Sequence, residues 1–497
     1  MNVDNISTKR LSIAAVKNSA GIQIVILCVF ILLFYYGLWD AFFAGKDDFT
    51  WAGLMRHRDS ILAALSGLNA NVRFLNWGLI WLKARFFYLN ASAYFWLSLL
   101  QHAAVTITVY WLVNFWAQRR RLAFLSALLF ATLFSHYEVI TSTSASGYSW
   151  WTLVYLLGLG AFGLYLQRRK LGWYLLTVAI YLALALGFPF AMTLPLLFMA
   201  YHLTLGKGEK RVRDFRWPEI KLYLPIGLIW VGQIALNLSY MAAGTSKAVY
   251  SESLYKPGLH MVTNLVYVVF HLVPNVHVAP IGNFLTGFVG ENGVELIWQG
   301  SLVAGAAAVV GSLILLWKGS VLVRFGVALV YLPYLPYTLW QNEYASAPRY
   351  FYLPSVGFAL LLALFLLGVH DYLRRKQFVG WRLVVPTTVL LLLLSNFLST
   401  QVWVQRHVAN GRFRRPIVLQ LAEEYQTLVS GSHLFIEVPE EKFTDLEAAC
   451  VLVLEPDVHC TAVISANFSF AELTADISDE PVYWLRATAD GLQQIYP

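Results

Sequence analysis

The chain has 497 residues, of which 58% are hydrophobic and only 13% are charged. A soluble protein of this length could not bury so much apolar surface, whereas a bilayer solvates it, so the composition excludes an ordinary soluble enzyme. The net charge of +8 combines a basic body with an acidic tail, because residues 400–497 carry 6 Lys/Arg against 14 Asp/Glu. This division predicts two domains in different surroundings, and the basic excess does not call for a nucleic acid partner.

Apolar runs of about 20 residues, the length that spans a hydrocarbon core, recur along the chain. Lys/Arg clusters separate them at every second boundary, which places the N-terminus in the cytoplasm under the positive-inside rule. The sequence therefore predicts an all-α polytopic protein of the inner (plasma) membrane with about 11 transmembrane helices. The predicted spans are residues 21–38, 91–116, 122–140, 148–166, 171–187, 188–205, 219–240, 297–317, 322–340, 350–369 and 380–399. The short apolar stretch 261–273 is expected to be re-entrant or interfacial.

The first external loop, residues 41–90, is rich in Trp, Phe and Leu. Its amphipathic stretches 51–65 and 72–87 predict helices that lie in the membrane interface. The loop also carries Lys46, Arg56, Arg58, Arg73, Lys83 and Arg85. Because basic residues normally collect on the cytoplasmic side, an external loop of this kind indicates an anionic partner.

The tail changes character after residue 405. Residues 412–429 are predicted to form an interfacial helix, and alternation at 434–439, 458–465 and 482–488 predicts short strands. We therefore divide the chain into a membrane domain, 1–405, and a small extracytoplasmic α/β domain, 406–497. Cys450 and Cys460 could pair in an oxidising compartment or stay free, and three cysteines are too few for a thiolate metal site.

The stretch GKDDFTW places Asp47 and Asp48 side by side directly after the first span. Neighbouring carboxylates in a partly desolvated site repel, which raises one pKa towards a value suited to a general base. A solvated start of a loop explains the pair equally well, so the pair alone leaves both interpretations open.

Two further ionisable residues lie at or near membrane depth, where such groups are costly and often functional. Glu138 begins the second external loop and could act in a site or simply hydrogen-bond His136 or its Ser/Thr neighbours. His102, in the second span, has the alternatives of a functional group and a packing residue with satisfied hydrogen bonds.

Two arginines could hold an anion. Arg349 stands at the outer end of a span within an aromatic cluster, where its guanidinium could bind a lipid phosphate or extend to the interface as an anchor. Arg73 has the same two interpretations.

The order of these motifs resembles the GT-C superfamily of polyprenyl-phosphate-sugar glycosyltransferases. After the acidic pair and Arg73 come NASAYFWLSLLQH (90–102), ALLFATLFSHYEVIT (127–141) and PRYFYLPSVGFALLLA (348–363). The chain looks most like bacterial relatives of the protein O-mannosyltransferases and of the transmembrane O-mannosyltransferases that carry TPR repeats. The likeness covers about residues 20–405 in layout.

The resemblance implies an inverting transfer of a sugar from a polyprenyl phosphate to an acceptor hydroxyl at the outer leaflet. Asp47 or Asp48 would be the general base, with Asp47 favoured by its place in the motif, and Glu138 would shape the acceptor or sugar site. Arg349 and Arg73 would hold the donor phosphate. His102, His136 and Tyr350 are candidates for lining the cavity. No cofactor is required, although a divalent cation could bind beside the paired carboxylates.

Two departures from the pattern limit what is implied. Phe74 follows Arg73 where relatives often have proline. The tail is a short α/β domain without TPR repeats, so a protein acceptor of the eukaryotic kind is not implied, and the acceptor stays unknown. The competing functions are a transporter or flippase of lipid-linked glycans, a glycan polymerase or ligase, and a sensor without catalytic activity.

Overall fold

A computed structural model describes residues 20–66, 74–206, 221–242, 257–272, 279–341, 347–425, 427–438, 446–464, 477 and 481–496. Within these residues, apolar sequence forms helices almost throughout. The helices up to the C-terminal domain are α1 (Ala20–Phe34), α2 (Lys46–Arg56), α3 (Ile61–Ser66), α4 (Phe74–Phe87), α5 (Ala91–Ala117), α6 (Arg120–Ala131), α7 (Tyr137–Thr141), α8 (Gly147–Arg168), α9 (Leu171–Gly187), α10 (Leu194–Thr204), α11 (Leu224–Ala242), α12 (His260–Leu272), α13 (Ala279–Lys318), α14 (Val321–Tyr334), α15 (Pro354–Arg375) and α16 (Trp381–Glu424).

The described helices confirm a multi-pass membrane protein. Six are long and apolar enough to cross a bilayer, the bent pair of α6 with Phe134–Thr141 would be a seventh, and four shorter apolar helices accompany them. Exposed leucine, isoleucine and valine side chains cover α1 and α13, as expected of surfaces that face lipid. The total of about 11 spans stays a prediction.

The third predicted span, 122–140, is not one straight helix. The chain bends by 56° between α6 and Phe134–Thr141. At this break, the backbone N–H of Phe134 donates to Asn396 Oδ1 of α16 at 3.0 Å. A side chain from another helix therefore satisfies a backbone group that the break releases, as a low-dielectric surrounding requires. The bend redirects α7, which carries Glu138.

The described residues of the loop 41–90 form three helices, α2 to α4, in place of the two predicted stretches. Phe49, Ala52 and Met55 line one face of α2 and are almost completely buried. Burial of these side chains removes apolar surface from water and holds α2 against the rest of the protein. Asp48 lies beside this buried face.

Among the described residues after α16, a four-stranded sheet with one helix confirms the predicted small α/β region. Its elements are β1 (His433–Val438), α17 (Leu446–Val453), β2 (His459–Ile464), β3 (Val482–Thr488) and β4 (Gly491–Tyr496). The strand order is β2-β1-β3-β4, with β1 parallel to both neighbours and β4 antiparallel to β3. The strand β4 was missed in the sequence because it follows β3 after only a two-residue turn.

Helix α16 joins the membrane body to this sheet without interruption. Residues 412–424 of the predicted helix 412–429 are helical, but they continue α16 instead of forming a helix of their own. Their location in the membrane interface stays a prediction. The outer part of α16 is held by burial of Ile417, Val418 and Leu421, which replaces lipid contact by packing within the protein. The predicted boundary at residue 405 falls inside this helix and stays a prediction.

The question of the two tail cysteines is resolved in favour of pairing. Cys450 of α17 and Cys460 of β2 form a disulfide. This bond ties α17 to the edge strand of the sheet. Among the described residues, Cys28 is a free cysteine.

Candidate active site

The two neighbouring aspartates have different surroundings. Both lie in the first turn of α2, where a carboxylate is favoured by the helix dipole. Asp47 is exposed, whereas Asp48 retains only 2% of its accessible surface. Adjacent residues on a helix point about 100° apart, so one helix turn can hold one carboxylate in the protein and present the other to solvent.

Asp48 is anchored to the segment that follows α7. Its Oδ1 accepts hydrogen bonds from the Thr143 N–H (2.7 Å), the Thr143 hydroxyl (2.8 Å), the Ser142 hydroxyl (3.0 Å) and the Ser144 N–H (3.4 Å). Burial raises the pKa of the Asp48 carboxyl above its ordinary value, and these hydrogen bonds lower it part of the way back. Asp48 thereby fixes the start of α2 against residues 142–144.

Lys83 approaches the same segment from α4. Its Nζ donates to Ser146 Oγ at 2.6 Å, and burial lowers the pKa of Lys83 to about 8. Within the described residues, no carboxylate lies within ion-pair distance of this ammonium. The cation is therefore held by a neutral hydroxyl in a partly desolvated position, which favours the binding of an anion.

The sequence analysis placed Lys83 among the basic residues of the loop without giving it a role. The available signal was local: a single lysine stands inside the apolar stretch GLIWLKARFF of a predicted interfacial helix. Its proximity to Ser146, 63 positions later in the chain, could not be read from that stretch.

Glu138 and Arg349, which the sequence separates by 211 positions, form an ion pair. Arg349 Nη1 donates to Glu138 Oε1, and the Arg349 backbone N–H donates to Glu138 Oε2 at 3.0 Å. Burial, the largest influence, lowers the pKa of Arg349, but the Glu138 carboxylate together with Tyr350 and Tyr148 raises the pKa above its ordinary value. Glu138 thus binds Arg349 and not His136, one of the partners considered above.

Aromatic side chains adjoin this ion pair. The Arg349 guanidinium lies 5.1 Å from the centroid of the Tyr350 ring, which stacks on Tyr337 at 4.1 Å. The ring of Tyr148, one residue after the start of α8, has its centroid 5.9 Å from the centroid of the Tyr350 ring. The ion pair and the Asp48–Lys83 region are therefore neighbours, connected by the segment from Glu138 to Tyr148.

His102 and His136 are both completely buried. His102 hydrogen-bonds the Tyr352 hydroxyl through Nδ1 (2.7 Å) and the Ala131 carbonyl through Nε2 (3.1 Å). His136 Nε2 bonds Ser355 Oγ at 2.8 Å, and the two imidazoles lie 5.2 Å apart. These contacts connect the end of α6 to the start of α15, and a role of either histidine in lining a cavity stays a prediction.

Two predictions are not addressed by the described residues. Arg73 lies outside them. No group of three or more His, Cys, Asp or Glu side chains that could hold a metal occurs among the residues that are described. Dependence on a divalent cation stays a prediction.

Comparison with known proteins identifies the fold. No protein-family model matches the chain, and no curated protein matches it either. The chain is similar to the crystal structure of ArnT from Cupriavidus metallidurans bound to undecaprenyl phosphate, with 13% identity and a TM-score of 0.50 over 94% of this chain and 93% of that one. A crystal structure of the Archaeoglobus fulgidus oligosaccharyltransferase in the apo form gives 12% identity and a TM-score of 0.45 over 90% of this chain and 65% of that one. The chain therefore shares the overall fold of that ArnT structure.

Proposed function

We propose that the protein is an inverting glycosyltransferase that moves a sugar from a polyprenyl phosphate to an acceptor hydroxyl at the outer leaflet. The observation that carries the proposal is Lys83, a desolvated cation without a carboxylate partner among the described residues, placed beside the anchored acidic helix. A phosphate leaving group needs positive charge more than it needs an acid, because it departs as an anion. The fold that the chain shares with ArnT supports the same function.

In this proposal, Asp47 is the general base. Asp48 is engaged by four donors through Oδ1, whereas Asp47 stands exposed one residue earlier on the same anchored turn. The acceptor oxygen attacks the anomeric carbon, its proton passes to the Asp47 carboxylate, and the bond from the sugar to the phosphate oxygen breaks with inversion. Asp48 acts by positioning the turn.

Lys83 and Arg349 bind the departing polyprenyl phosphate. Arg349 has further N–H donors besides Nη1, so its pairing with Glu138 leaves it able to contact a phosphate. Glu138 orients Arg349 and borders the sugar or acceptor. The proposal does not specify the donor sugar or the acceptor, and a specificity like that of the O-mannosyltransferases stays a prediction.

The membrane orientation belongs to the same proposal. The N-terminus would be cytoplasmic and the C-terminal domain extracytoplasmic, where an oxidising compartment favours a disulfide such as Cys450–Cys460. The partners would be the bilayer, the lipid-linked sugar and an acceptor that is still to be identified.

The test uses the full chain in nanodiscs with synthetic undecaprenyl-phosphate hexoses and pentoses, labelled in the sugar, and an envelope extract as the source of acceptors. We expect wild-type protein to transfer label and release undecaprenyl phosphate. Asp47→Asn should lower the rate by about 10²- to 10⁴-fold, because a general base contributes about that much.

Asp48→Asn is the control variant. Circular dichroism spectra of both variants show whether a loss of rate comes from a defect in folding, because such a defect would change the spectrum as well as the rate. Equal turnover by wild type and Asp47→Asn would remove Asp47 as the base. Movement of intact lipid-linked sugar across vesicles, without cleavage of the sugar–phosphate bond, would favour a flippase instead.

A further inference from the structure

The helix that carries the acidic pair contacts two different parts of the protein. At its start, Asp48 binds residues 142–144 of the membrane body. At its end, Arg56 and His57 contact α17 of the C-terminal domain. The position of α2 therefore depends on both parts.

The contacts at the end of α2 satisfy the last carbonyls of α17. Arg56 Nη1 donates to the carbonyls of Leu452 (2.5 Å) and Val453 (3.2 Å), and His57 Nε2 lies 2.9 Å from the Val451 carbonyl. Carbonyls in the last turn of a helix have no partner within the helix and carry the negative end of its dipole. A guanidinium is therefore well matched to this end of α17.

Gly53 brings the two helices into backbone contact. A Cβ at this position would lie 2.7 Å from the Leu452 nitrogen, 2.8 Å from the Val451 carbonyl carbon and 2.9 Å from the Leu452 Cα. No rotamer change can relieve contacts with backbone atoms, so any larger residue must push α2 and α17 apart. The close approach makes the position of α2 sensitive to α17.

The C-terminal domain also holds α17, which contacts β2 and α16 besides α2. All but two of the eight residues of α17 are buried, and its Cys450 is bonded to Cys460 of β2. A displacement of the sheet would therefore move α17, and through Arg56 it would move α2.

We infer that the C-terminal domain positions the acidic helix for sugar transfer, with Arg56 and Gly53 as the positioning residues. This inference rests on the proposed function, because it gives the domain a part in the same reaction. A shift of about 1 Å in a reacting group can lower a rate by about 100-fold without affecting the binding of a remote part of the substrate. Loss of the contact should therefore lower turnover while the affinity for the lipid phosphate is kept.

The experiment compares Arg56→Ala and Gly53→Ala in the full chain in nanodiscs. Arg56 Nη1 also donates to the Tyr88 hydroxyl at 2.9 Å. Arg56→Ala removes this bond, whereas Gly53→Ala keeps it and only separates the two helices, so the two variants perturb the contact in different ways. The matched controls are Arg415→Ala, an exposed arginine on α16, and Gly172→Ala, where a Cβ would meet nothing within 4 Å. Arg56→Lys keeps the cation and tests for partial rescue.

Three quantities are measured: amide hydrogen exchange of residues 46–56, binding of undecaprenyl phosphate, and label transfer from the donor that wild type uses. We expect both variants to exchange these amides about tenfold faster, because each weakens the contacts with α17 that hold α2 in place. Turnover should fall about 10- to 100-fold, with lipid affinity within about twofold of wild type. Arg56→Lys should recover part of the turnover, and both controls should match wild type.

Unchanged exchange of α2 in both variants would overturn the inference, and so would faster exchange with wild-type turnover. An equal loss in both controls would also overturn it, because the effect would then not come from the contact with α17. If wild type transfers no sugar from any donor, the proposed function fails. The exchange of residues 46–56 still reports in that case whether the C-terminal domain holds the helix.

Discussion

Two neighbouring regions of this protein handle charge in opposite ways. In the loop 41–90, Asp48 and Lys83 are each held by neutral hydroxyl and amide groups of residues 142–146, without pairing with each other. A few residues earlier in the chain, Glu138 binds Arg349 directly. One region keeps its charges separate, and the other neutralises them internally.

This difference indicates which cation has the larger effect on an incoming anion. A phosphate that binds Lys83 would be the first anion paired with this ammonium among the described residues. A phosphate that binds Arg349 must instead compete with the Glu138 carboxylate for the guanidinium. The gain in free energy should be larger at the uncompensated cation, because less interaction is lost there on binding.

Removal of the ammonium gives the largest effect expected from this comparison. Lys83→Met should weaken the binding of undecaprenyl phosphate by about 10- to 100-fold, the range for loss of a charge-assisted hydrogen bond. Arg349→Met should weaken it less, and Lys83→Arg should keep most of the affinity. Isothermal titration in nanodiscs measures all three, and a larger loss for Arg349→Met would reverse the assignment.

Opening the ion pair should have a smaller effect of a different kind. Glu138→Gln leaves the Arg349 guanidinium without its carboxylate and should lower the free energy of unfolding by about 1–2 kcal/mol. Because the same change frees Arg349, the affinity for undecaprenyl phosphate should rise. Thermal unfolding and lipid titration test the two parts separately, and a variant that is both less stable and weaker in binding would show that Glu138 itself supports the phosphate site.

The pH dependence should show the smallest effect. Since burial lowers the pKa of Lys83 to about 8, the ammonium is fully present below that pH and is lost as the pH rises through it. Affinity for undecaprenyl phosphate should therefore fall by several-fold between about pH 7 and pH 9, to the extent that the bound phosphate does not raise this pKa. Lys83→Arg, which stays charged, should remove the decline; the same decline in that variant would assign it to another group.

The sequence predicted the helices well where apolar composition alone decides the structure. The runs that became α5, α8 and α15 were located within a few residues, because lipid solvates them whatever their neighbours are. The break after Ala131 was missed, since no proline or glycine marks it and its released N–H is satisfied by Asn396 from a distant helix.

The candidate site was predictable in part, and the limit has a physical cause. Glu138 and Arg349 were selected because ionisable groups at membrane depth are costly and often functional. Their ion pair could not be predicted, because it joins residues 211 positions apart in the sequence. The contrast between Asp47 and Asp48 depends on residues 142–144, and the environment of Lys83 depends on Ser146. Such differences arise only when the chain has folded, so the spacing of the residues did not distinguish Asp47 from Asp48, and only the resemblance favoured Asp47.

The length of helix α16 connects the tilt of a membrane span to the position of the four-stranded sheet. With 44 residues at about 1.5 Å each, it is roughly 66 Å long, more than twice the thickness of about 30 Å of a hydrocarbon core. A spanning helix adjusts its tilt when bilayer thickness changes. Because the same helix continues into the packing of the four-stranded sheet, a change of tilt within the lipid should alter the height and angle of that sheet above it.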